Sequence, residues 1–407
     1  MMTDTKLQTQ RKGALAFIFA VVFLDLLGVN LLVPVQAYIV REYNSDAITV
    51  GLLTVIYAAA QFVAAPILGL ISDRVGRRPV LLVCLLGSAI GYFIFGIGGA
   101  LWVLFLSRLI DGITGGNLSV ATAYVADVTP PEKRAQNFAL IGAAFGLGFM
   151  LGPAIGGALG NIHLALPAFV AGGLTLLNLI FGIFMLPESL PKEARQTGDQ
   201  KDSNANPFTA ILEVIRLPHL GLLLAATFVF LFAFGGMTSN ISVFLIEKFD
   251  VQPFQFAIVF VLAGIVNIVV QGGLIRVLVP KFGEKRLAMA GLVIVAVSWL
   301  AVVTVPTMEM VYVLAAISSV GSAFAMPTLG ALASNLTAQN QQGKLAGVSA
   351  SLGSLANVLG PLWAGAVYDY VMPGAPYWSS AVFLLVAVFM VARVRSTIRV
   401  SGTVLAS

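Results

Sequence analysis

Residues 14–38 read ALAFIFAVVFLDLLGVNLLVPVQAY, and Asp25 is the only charged residue in this stretch. A helix needs about 20 mostly apolar residues to cross about 30 Å of hydrocarbon. The stretch is therefore predicted to span a membrane. It contains no short hydrophobic region followed by a clear small-residue cleavage site, so we interpret it as an uncleaved first span rather than a signal peptide.

The composition of the whole chain agrees with a membrane protein. Of its 407 residues, 58% are hydrophobic and 10% are charged, whereas soluble domains are about 25% charged. We predict an all-α polytopic membrane protein whose twelve transmembrane helices form two six-helix pseudo-symmetric bundles. The predicted spans are 14–38, 48–72, 79–98, 101–125, 137–160, 165–187, 219–246, 254–279, 286–305, 310–333, 344–370 and 376–394.

The distribution of positive charge predicts the orientation. If both termini are cytoplasmic, 20 of the 23 Lys and Arg residues lie on that side, and only Arg41 and Lys248 lie in outside loops. This asymmetry follows the positive-inside rule. We predict a multi-pass protein of the cell (inner) membrane with both termini cytoplasmic. The net charge of +5 therefore reflects topology, and we predict no binding of nucleic acid.

The chain repeats itself at a fixed offset. Gly76 corresponds to Gly283, 207 residues later, and the Gly-Pro pair at 152–153 corresponds to that at 360–361, 208 residues later. Gly157 and Gly365 match at the same offset. Two parallel repeats are a transporter architecture. We predict an N-terminal bundle at 1–187, a cytoplasmic linker at 188–218, which includes the polar run GDQKDSNANP, and a C-terminal bundle at 219–407.

Two motifs combine small residues with functional side chains. Residues 69–78 read GLISDRVGRR in the loop between spans 2 and 3, where the acid and the arginines can form a charge network or simply a positive-inside anchor. Residues 146–157 read GLGFMLGPAIGG in span 5, where the small residues permit close helix packing and Pro153 permits a bend.

The first motif closely resembles the loop 2–3 signature of the major facilitator superfamily. The second resembles the span-5 antiporter signature of its twelve-span drug:proton antiporters. LDLLGVNLLVPV (24–35), SRLIDGITGGN (107–117), AYVADVTPPEKRAQNFALIGAAFGLG (123–148) and QGKLAGVSASLGSLANVLGP (342–361) resemble the tetracycline efflux pumps. Asp127, at the cytoplasmic end of span 4, is predicted to face the arginines of loop 2–3 as a gate or latch, and an ordinary helix-end contact is the alternative. The gate residues are Gly69, Asp73, Arg74, Gly76, Arg77, Arg78, Asp127 and Arg134, and the antiporter-motif residues are Gly148, Gly152, Pro153, Gly156 and Gly157.

The sequence departs from the tetracycline pumps in its intramembrane acids. Those pumps carry acids in spans 3 and 9, but this chain has Gly91 near the expected place in span 3, and its span 9 (RLAMAGLVIVAVSWLAVV) contains no acid. Span 4 instead contains Asp111. The departures argue against tetracycline itself as the substrate.

Three charged residues lie clearly within spans, all in the N-terminal half: Asp25, Arg108 and Asp111. An ionised residue at the bilayer centre costs several kcal/mol, so each needs a function or a partner. Asp25 lies about 16 Å into span 1, where burial disfavours its charged form. It is predicted to couple protons or to contact a cationic substrate, the alternative being a structural acid. Arg108 and Asp111 share a helical face. The resemblance implies a role for Arg108 in proton transfer, and a static ion pair is the alternative.

Neutral polar residues within spans are weaker candidates for substrate contacts. They are Asn30, Gln36, Asn117, Asn240, Gln271 and Asn357.

The function predicted is secondary active transport rather than enzymatic catalysis. Without a Walker loop or a Cys/His cluster, we predict no cofactor and no metal, and we predict that a proton gradient drives transport. The leading hypothesis is proton-coupled efflux of small amphipathic or drug-like compounds by a monomer in contact with membrane lipid. The alternatives are a proton-linked or facilitative carrier for a sugar, organic acid or siderophore, and a non-transporting membrane sensor.

Overall fold

The computed structural model describes residues 4–43, 46–129, 134–190, 195, 218–337, 341–394, 397–400 and 403–406. The helices of the N-terminal half are α1 (Asp4–Leu31), α2 (Val33–Arg41), α3 (Ala47–Val75), α4 (Arg77–Ile97), α5 (Leu101–Thr114), α6 (Asn117–Val128), α7 (Arg134–Ile162) and α8 (Leu166–Met185). Those of the C-terminal half are α9 (Pro218–Phe249), α10 (Pro253–Val269), a π-helical segment (Val270–Leu274), α11 (Ile275–Phe282), α12 (Glu284–Val302), α13 (Met308–Asn335), α14 (Gln342–Tyr370) and α15 (Ala375–Arg393).

These helices confirm the predicted all-α membrane fold. Within the described residues, ten helical segments are long and apolar enough to cross a membrane, and Gly146–Ile162 in α7 is a shorter apolar helix. Predicted span 4 is divided between α5 and α6, so neither part alone has the length of a span. The arrangement is consistent with twelve spans.

Two predicted spans are interrupted for visible reasons. Span 1 breaks at Leu32, just before Pro34, which lacks the N–H that a continuous helix would use. Span 4 breaks at Gly115 and Gly116, which form a turn between α5 and α6. Irregular backbone within a membrane is tolerated where protein or a cavity surrounds it, so both breaks mark positions of interest.

The described chain divides into two compact units. The first unit comprises Met1–Ser45, Leu53–Gln200 and Val251–Val261, and the second comprises Asp46–Leu52, Lys201–Asp250 and Leu262–Ser407. Each unit thus takes a short segment from the other half of the sequence. The predicted domain boundaries remain predictions, and most of the predicted linker (188–218) lies outside the described residues.

Each unit has its own apolar core. In the first unit, Leu81, Leu85 and Tyr124 are buried beside residues of α1 and α8. In the second, Phe230 of α9 and Trp299 of α12 are buried together with residues of α13, α14 and α15. Many other large apolar side chains are exposed, as expected for helices whose solvent is lipid rather than water.

A small hairpin near the C-terminus was not predicted. Strands β1 (Thr397–Val400) and β2 (Thr403–Ala406) pair antiparallel, with Thr397 opposite Ala406. Both strands contain β-branched residues, which favour extended backbone.

Candidate functional site

A cavity of about 230 Å³ lies inside the first unit. Its polar lining consists of Asp25 from α1, Tyr57 and Gln61 from α3, and Asn117 from α6. The rest of the lining is Gly115 and six apolar side chains, so the few polar groups are available to orient a ligand. These apolar residues are Val21, Val22, Leu26, Val29, Leu118 and Ala121.

Asp25 is positioned at the wall of this cavity. It is half-buried, and the side-chain amide of Asn117 lies within hydrogen-bonding reach of its carboxyl group. Asn117 is the first residue of α6, immediately after the glycine break in span 4. The break therefore places a polar side chain opposite the acid of span 1.

Gln61 supports the break from α3. Its Nε2 donates a hydrogen bond to the carbonyl oxygen of Gly115 at 2.8 Å and lies 3.3 Å from the Tyr57 hydroxyl. The carbonyl groups at the end of a helix lack intrahelical partners. Gln61 thus satisfies one of these groups and also contributes to the cavity lining.

Arg108 and Asp111 form a buried ion pair that does not line the cavity. Arg108 Nη1 lies 3.3 Å from Asp111 Oδ2, and these side chains are only 4% and 1% exposed. Ser88 of α4 interacts with the Asp111 carboxylate and is 2.9 Å from the Thr114 hydroxyl. Breaking such a pair would leave an uncompensated buried charge.

Two aromatic rings of α4 enclose the Arg108 guanidinium group. Its Cζ lies 4.7 Å from the ring centroid of Phe95 and 5.8 Å from that of Tyr92. Within the described residues, Arg108 Nε and Nη2 and the Tyr92 hydroxyl have no hydrogen-bond partner. The cation is thus held by one carboxylate and by π-faces, and part of its donor capacity is unused.

Tyr92 packs between the Arg108 guanidinium group and Gly28 in span 1. A Cβ atom at Gly28, three residues after Asp25, would lie 3.2 Å from the Tyr92 hydroxyl. Tyr92 also interacts electrostatically with both Asp25 and Asp111. The two acids therefore belong to one buried cluster, which opens to the cavity at Asp25.

Gly91 of α4 packs directly against Asp111. A Cβ atom at Gly91 would lie 3.2 Å from the Asp111 Cβ and 3.2 Å from the Ser107 carbonyl oxygen. Asp111 of span 4 therefore lies next to Gly91 of span 3. The resemblance to the tetracycline pumps predicts an acid near the position of Gly91.

A second charge cluster is centred on Arg77 in the loop 2–3 signature. Arg77 Nη1 is 2.6 Å from Asp73 Oδ1, and its Nε is 3.2 Å from Asp127 Oδ2. Gly76 has a φ of 117°, a conformation that favours glycine. Arg74 is exposed and Gly69 lies near Ser119. Arg134 begins α7, but its side chain lies outside the described residues.

Glu188, just after α8, completes this cluster. Its carboxylate accepts hydrogen bonds from the backbone N–H groups of Arg77 at 2.9 Å and Arg78 at 3.3 Å, at the start of α4. Arg195 Nη2 is 3.7 Å from the same carboxylate. Glu188 thus caps α4 and links the end of span 6 to the loop 2–3 signature.

The glycines of the antiporter motif bring α7 against α1. A Cβ at Gly148 would lie 2.9 Å from the Leu26 Cβ, one at Gly152 would lie 3.0 Å from the Asn30 carbonyl carbon, and one at Gly156 would lie 3.0 Å from the Leu31 Cα. This row of small residues permits backbone contact along the helix that carries Asp25. Pro153 is buried within α7, and Gly157 packs against Pro253.

The remaining substrate candidates are not brought to the cavity. Asn30 donates to the Leu26 carbonyl oxygen at 2.7 Å, and Gln36 lies 3.4 Å from the Thr54 hydroxyl. Asn240 is fully buried. Gln271, in the π-helical segment, is exposed and bonds Asn267, and Asn357 is exposed on α14. Only Asn117 of this group lines the cavity.

Sequence reasoning missed four residues at these sites: Tyr57, Gln61, Tyr92 and Glu188. Gln61 is a polar residue within an apolar span, and the same signal identifies Asn30 and Asn117 as candidates. Aromatic residues are too common in membrane helices to be selected by pattern alone. Glu188 immediately follows span 6, at the first position of the predicted linker.

The fold and the buried polar cluster together define a multi-pass membrane transporter. The family model of the Major Facilitator Superfamily matches residues 18–280 and 274–403, so the chain belongs to the Major Facilitator Superfamily.

Individual relatives narrow this class. The tetracycline resistance protein, class C, of Escherichia coli is 33% identical over 359 residues, covering 88% of this chain and 90% of that protein. Multidrug resistance protein 2 of Bacillus subtilis is 31% identical, covering 88% and 90%. The crystal structure of the human organic anion transporter MFSD10 has a TM-score of 0.68 and 28% identity, covering 94% of this chain and 99% of that one.

Proposed function

We propose that this protein is a proton-coupled exporter of small amphipathic or drug-like compounds, working by alternating access in the cell (inner) membrane with both termini cytoplasmic. Its similarity to tetracycline and multidrug resistance proteins supports the class of substrate. The distribution of Lys and Arg supports the orientation.

The observation that carries the proposal is the charge balance of the buried cluster. Asp25, Asp111 and Arg108 interact within one unit, and Arg remains protonated. When both acids are ionised, the cluster therefore has one net negative charge in a region that disfavours charge. One proton or one cationic group neutralises the cluster. A proton and a cationic substrate would therefore compete to neutralise this charge.

The cavity lining suggests how a substrate is held. Asp25 supplies the charge, Tyr57 an aromatic face, and Gln61 and Asn117 supply hydrogen-bonding groups. The apolar walls favour the apolar part of an amphipathic molecule.

A second candidate is a carrier of organic acids. Arg108 has two buried nitrogen atoms without a hydrogen-bond partner in the described part of the chain, and these could bind a carboxylate. The similarity of the whole chain to a human organic anion transporter supports this alternative. Arg108 does not line the cavity, however, so the cationic or neutral class is favoured.

The test is substrate-stimulated proton movement in proteoliposomes, comparing the parent with Asp25→Asn and Asp111→Asn. Lipophilic cations, neutral drugs and aromatic carboxylates serve as the substrate panel. Each substitution keeps the side-chain volume and removes the titratable group, so we expect at least a tenfold loss of proton-linked flux for Asp25→Asn. Persistent flux in both variants without a proton gradient would contradict the coupling, and stimulation by carboxylates alone would favour the organic-acid carrier.

A further inference from the structure

The ends of α7 and α14 each cap the start of another helix. Asp369 of α14 accepts hydrogen bonds from the backbone N–H groups of Ala47 at 3.0 Å and Ile48 at 2.8 Å, in the first turn of α3. Asn161 of α7 accepts one from the N–H of Phe254 at 3.0 Å, in the first turn of α10. N–H groups in the first turn have no intrahelical partner, so both side chains satisfy otherwise unpaired donors.

The two caps are the same feature in the two copies of the internal repeat. Asp369 follows Asn161 by 208 residues, and Phe254 follows Ala47 by 207 residues. These are the offsets that relate the glycines of the two halves. The repeat therefore relates both the two capping residues and the two turns that they cap, although one capping side chain is an acid and the other an amide.

A glycine one turn before each capping residue provides the close approach. A Cβ atom at Gly365 would lie 2.7 Å from the Ile48 Cα, and one at Gly157 would lie 2.7 Å from the Pro253 carbonyl oxygen. Any larger residue would push the capped helix away. The repeat thus preserves both the capping group and the space that allows it to reach its donors.

Each cap holds a helix start that belongs to a different unit from the rest of that helix. Asp46–Leu52 is grouped with the second unit, whereas α3 continues in the first. Val251–Val261 is grouped with the first unit, whereas α10 ends in the second. A rearrangement of the units must therefore release these turns or bend the two helices.

We propose that Asp369 and Asn161 are paired positioning residues of the transport cycle, whose caps hold the first turns of α3 and α10 in one state and release them in the other. The inference rests on the alternating-access mechanism proposed above. Hydrogen bonds to a carboxylate are stronger than those to an amide, and Asp369 makes two. We therefore expect the Asp369 cap to influence the equilibrium between the two states more than the Asn161 cap does.

The test measures the conformational equilibrium by double electron–electron resonance. Spin labels are placed at Glu42→Cys and Tyr370→Cys, both exposed, in a Cys84→Ala background of the full chain. Loss of a cap should change the ratio of the two distance populations about fivefold in Asp369→Ala. Asn161→Ala should shift it in the same direction by less, and Asp369→Asn should restore most of the parental ratio.

A matched control removes an amide hydrogen bond elsewhere. Asn335 bonds Glu284 at 2.9 Å, and Asn335→Ala should leave the distances unchanged. If the parent responds to substrate while Asp369→Ala and Asn161→Ala keep the parental ratio, the caps are only structural and the inference is wrong. A parent with one distance under all substrate and pH conditions would instead contradict alternating access. Monodisperse size-exclusion profiles verify folding, and Asn161→Ala alone tests the inference if Asp369→Ala does not fold.

Discussion

At the scale of single residues, Asp111 and Gly91 form a complementary pair on two packed helices. A Cβ placed at Gly91 would lie 3.2 Å from the Asp111 Cβ, which is tighter than an ordinary van der Waals contact, so side chains at both positions overpack the site. We therefore propose that the buried cluster can receive its second carboxylate from either helix. On this proposal, span 3 can lack the expected acid while the cluster keeps its charge.

We expect the acid to tolerate transfer between these helices. Gly91→Asp alone should lower the free energy of unfolding by about 1–3 kcal/mol, because it overpacks the site and sets two acids side by side. Gly91→Asp combined with Asp111→Gly should recover part of the lost stability, because the Ser107 carbonyl oxygen still lies 3.2 Å from the new Cβ, and at least half of the proton-linked flux. Thermal unfolding and proteoliposome flux measure the two effects. The pairing would be contradicted if the double variant folds but shows no flux, while Gly91→Asp alone is as stable and as active as the parent.

At the scale of elements, the start of α4 depends on a residue from a distant part of the chain. Glu188 accepts hydrogen bonds from two backbone N–H groups of α4, and Arg78 Nη2 donates to the Ile183 carbonyl oxygen of α8 at 2.5 Å. The loop 2–3 signature is thus fixed to the end of span 6 as well as to Asp127. A capping role for Glu188 has a measurable consequence.

Removing this cap should destabilise the first unit. Glu188→Ala is expected to lower the free energy of unfolding by about 0.5–2 kcal/mol, the usual effect of losing an N-cap. Glu188→Gln keeps an acceptor oxygen and should lose less than half as much. Thermal unfolding in detergent provides the measurement, with the exposed acid Glu42 substituted by Ala as a control. Equal midpoints for Glu188→Ala and the parent would show that the cap does not stabilise α4.

At the scale of the whole molecule, the proposed orientation predicts which positions face outward. In a Cys84→Ala background, a membrane-impermeant thiol reagent added to intact cells should label Tyr370→Cys, which is 81% exposed. It should label Lys281→Cys, on the proposed cytoplasmic side, at least tenfold less until the cells are permeabilised. The physical reason is the positive-inside rule. The reverse pattern of labelling would contradict the orientation.

Much of the fold was predictable because lipid imposes a strict requirement. A backbone that crosses hydrocarbon must satisfy its own hydrogen bonds, so apolar stretches of sufficient length identify helices without tertiary information. The same requirement makes Asp25, Arg108 and Asp111 conspicuous in the sequence. The repeat offset and the signature motifs then indicated the superfamily to which the chain belongs.

The arrangement of the site was decided only by tertiary structure. The sequence spacing of Arg108 and Asp111 predicts their pairing, but it does not show that Tyr92 packs between Arg108 and Gly28 or that Gln61 supports the break at Gly115. Asn30 and Asn117 were equal candidates in the sequence, and only Asn117 lines the cavity. Local periodicity determines which residues form a helix, whereas the rotation and packing of each helix depend on contacts between residues far apart in the chain, and those contacts select the side chains that meet.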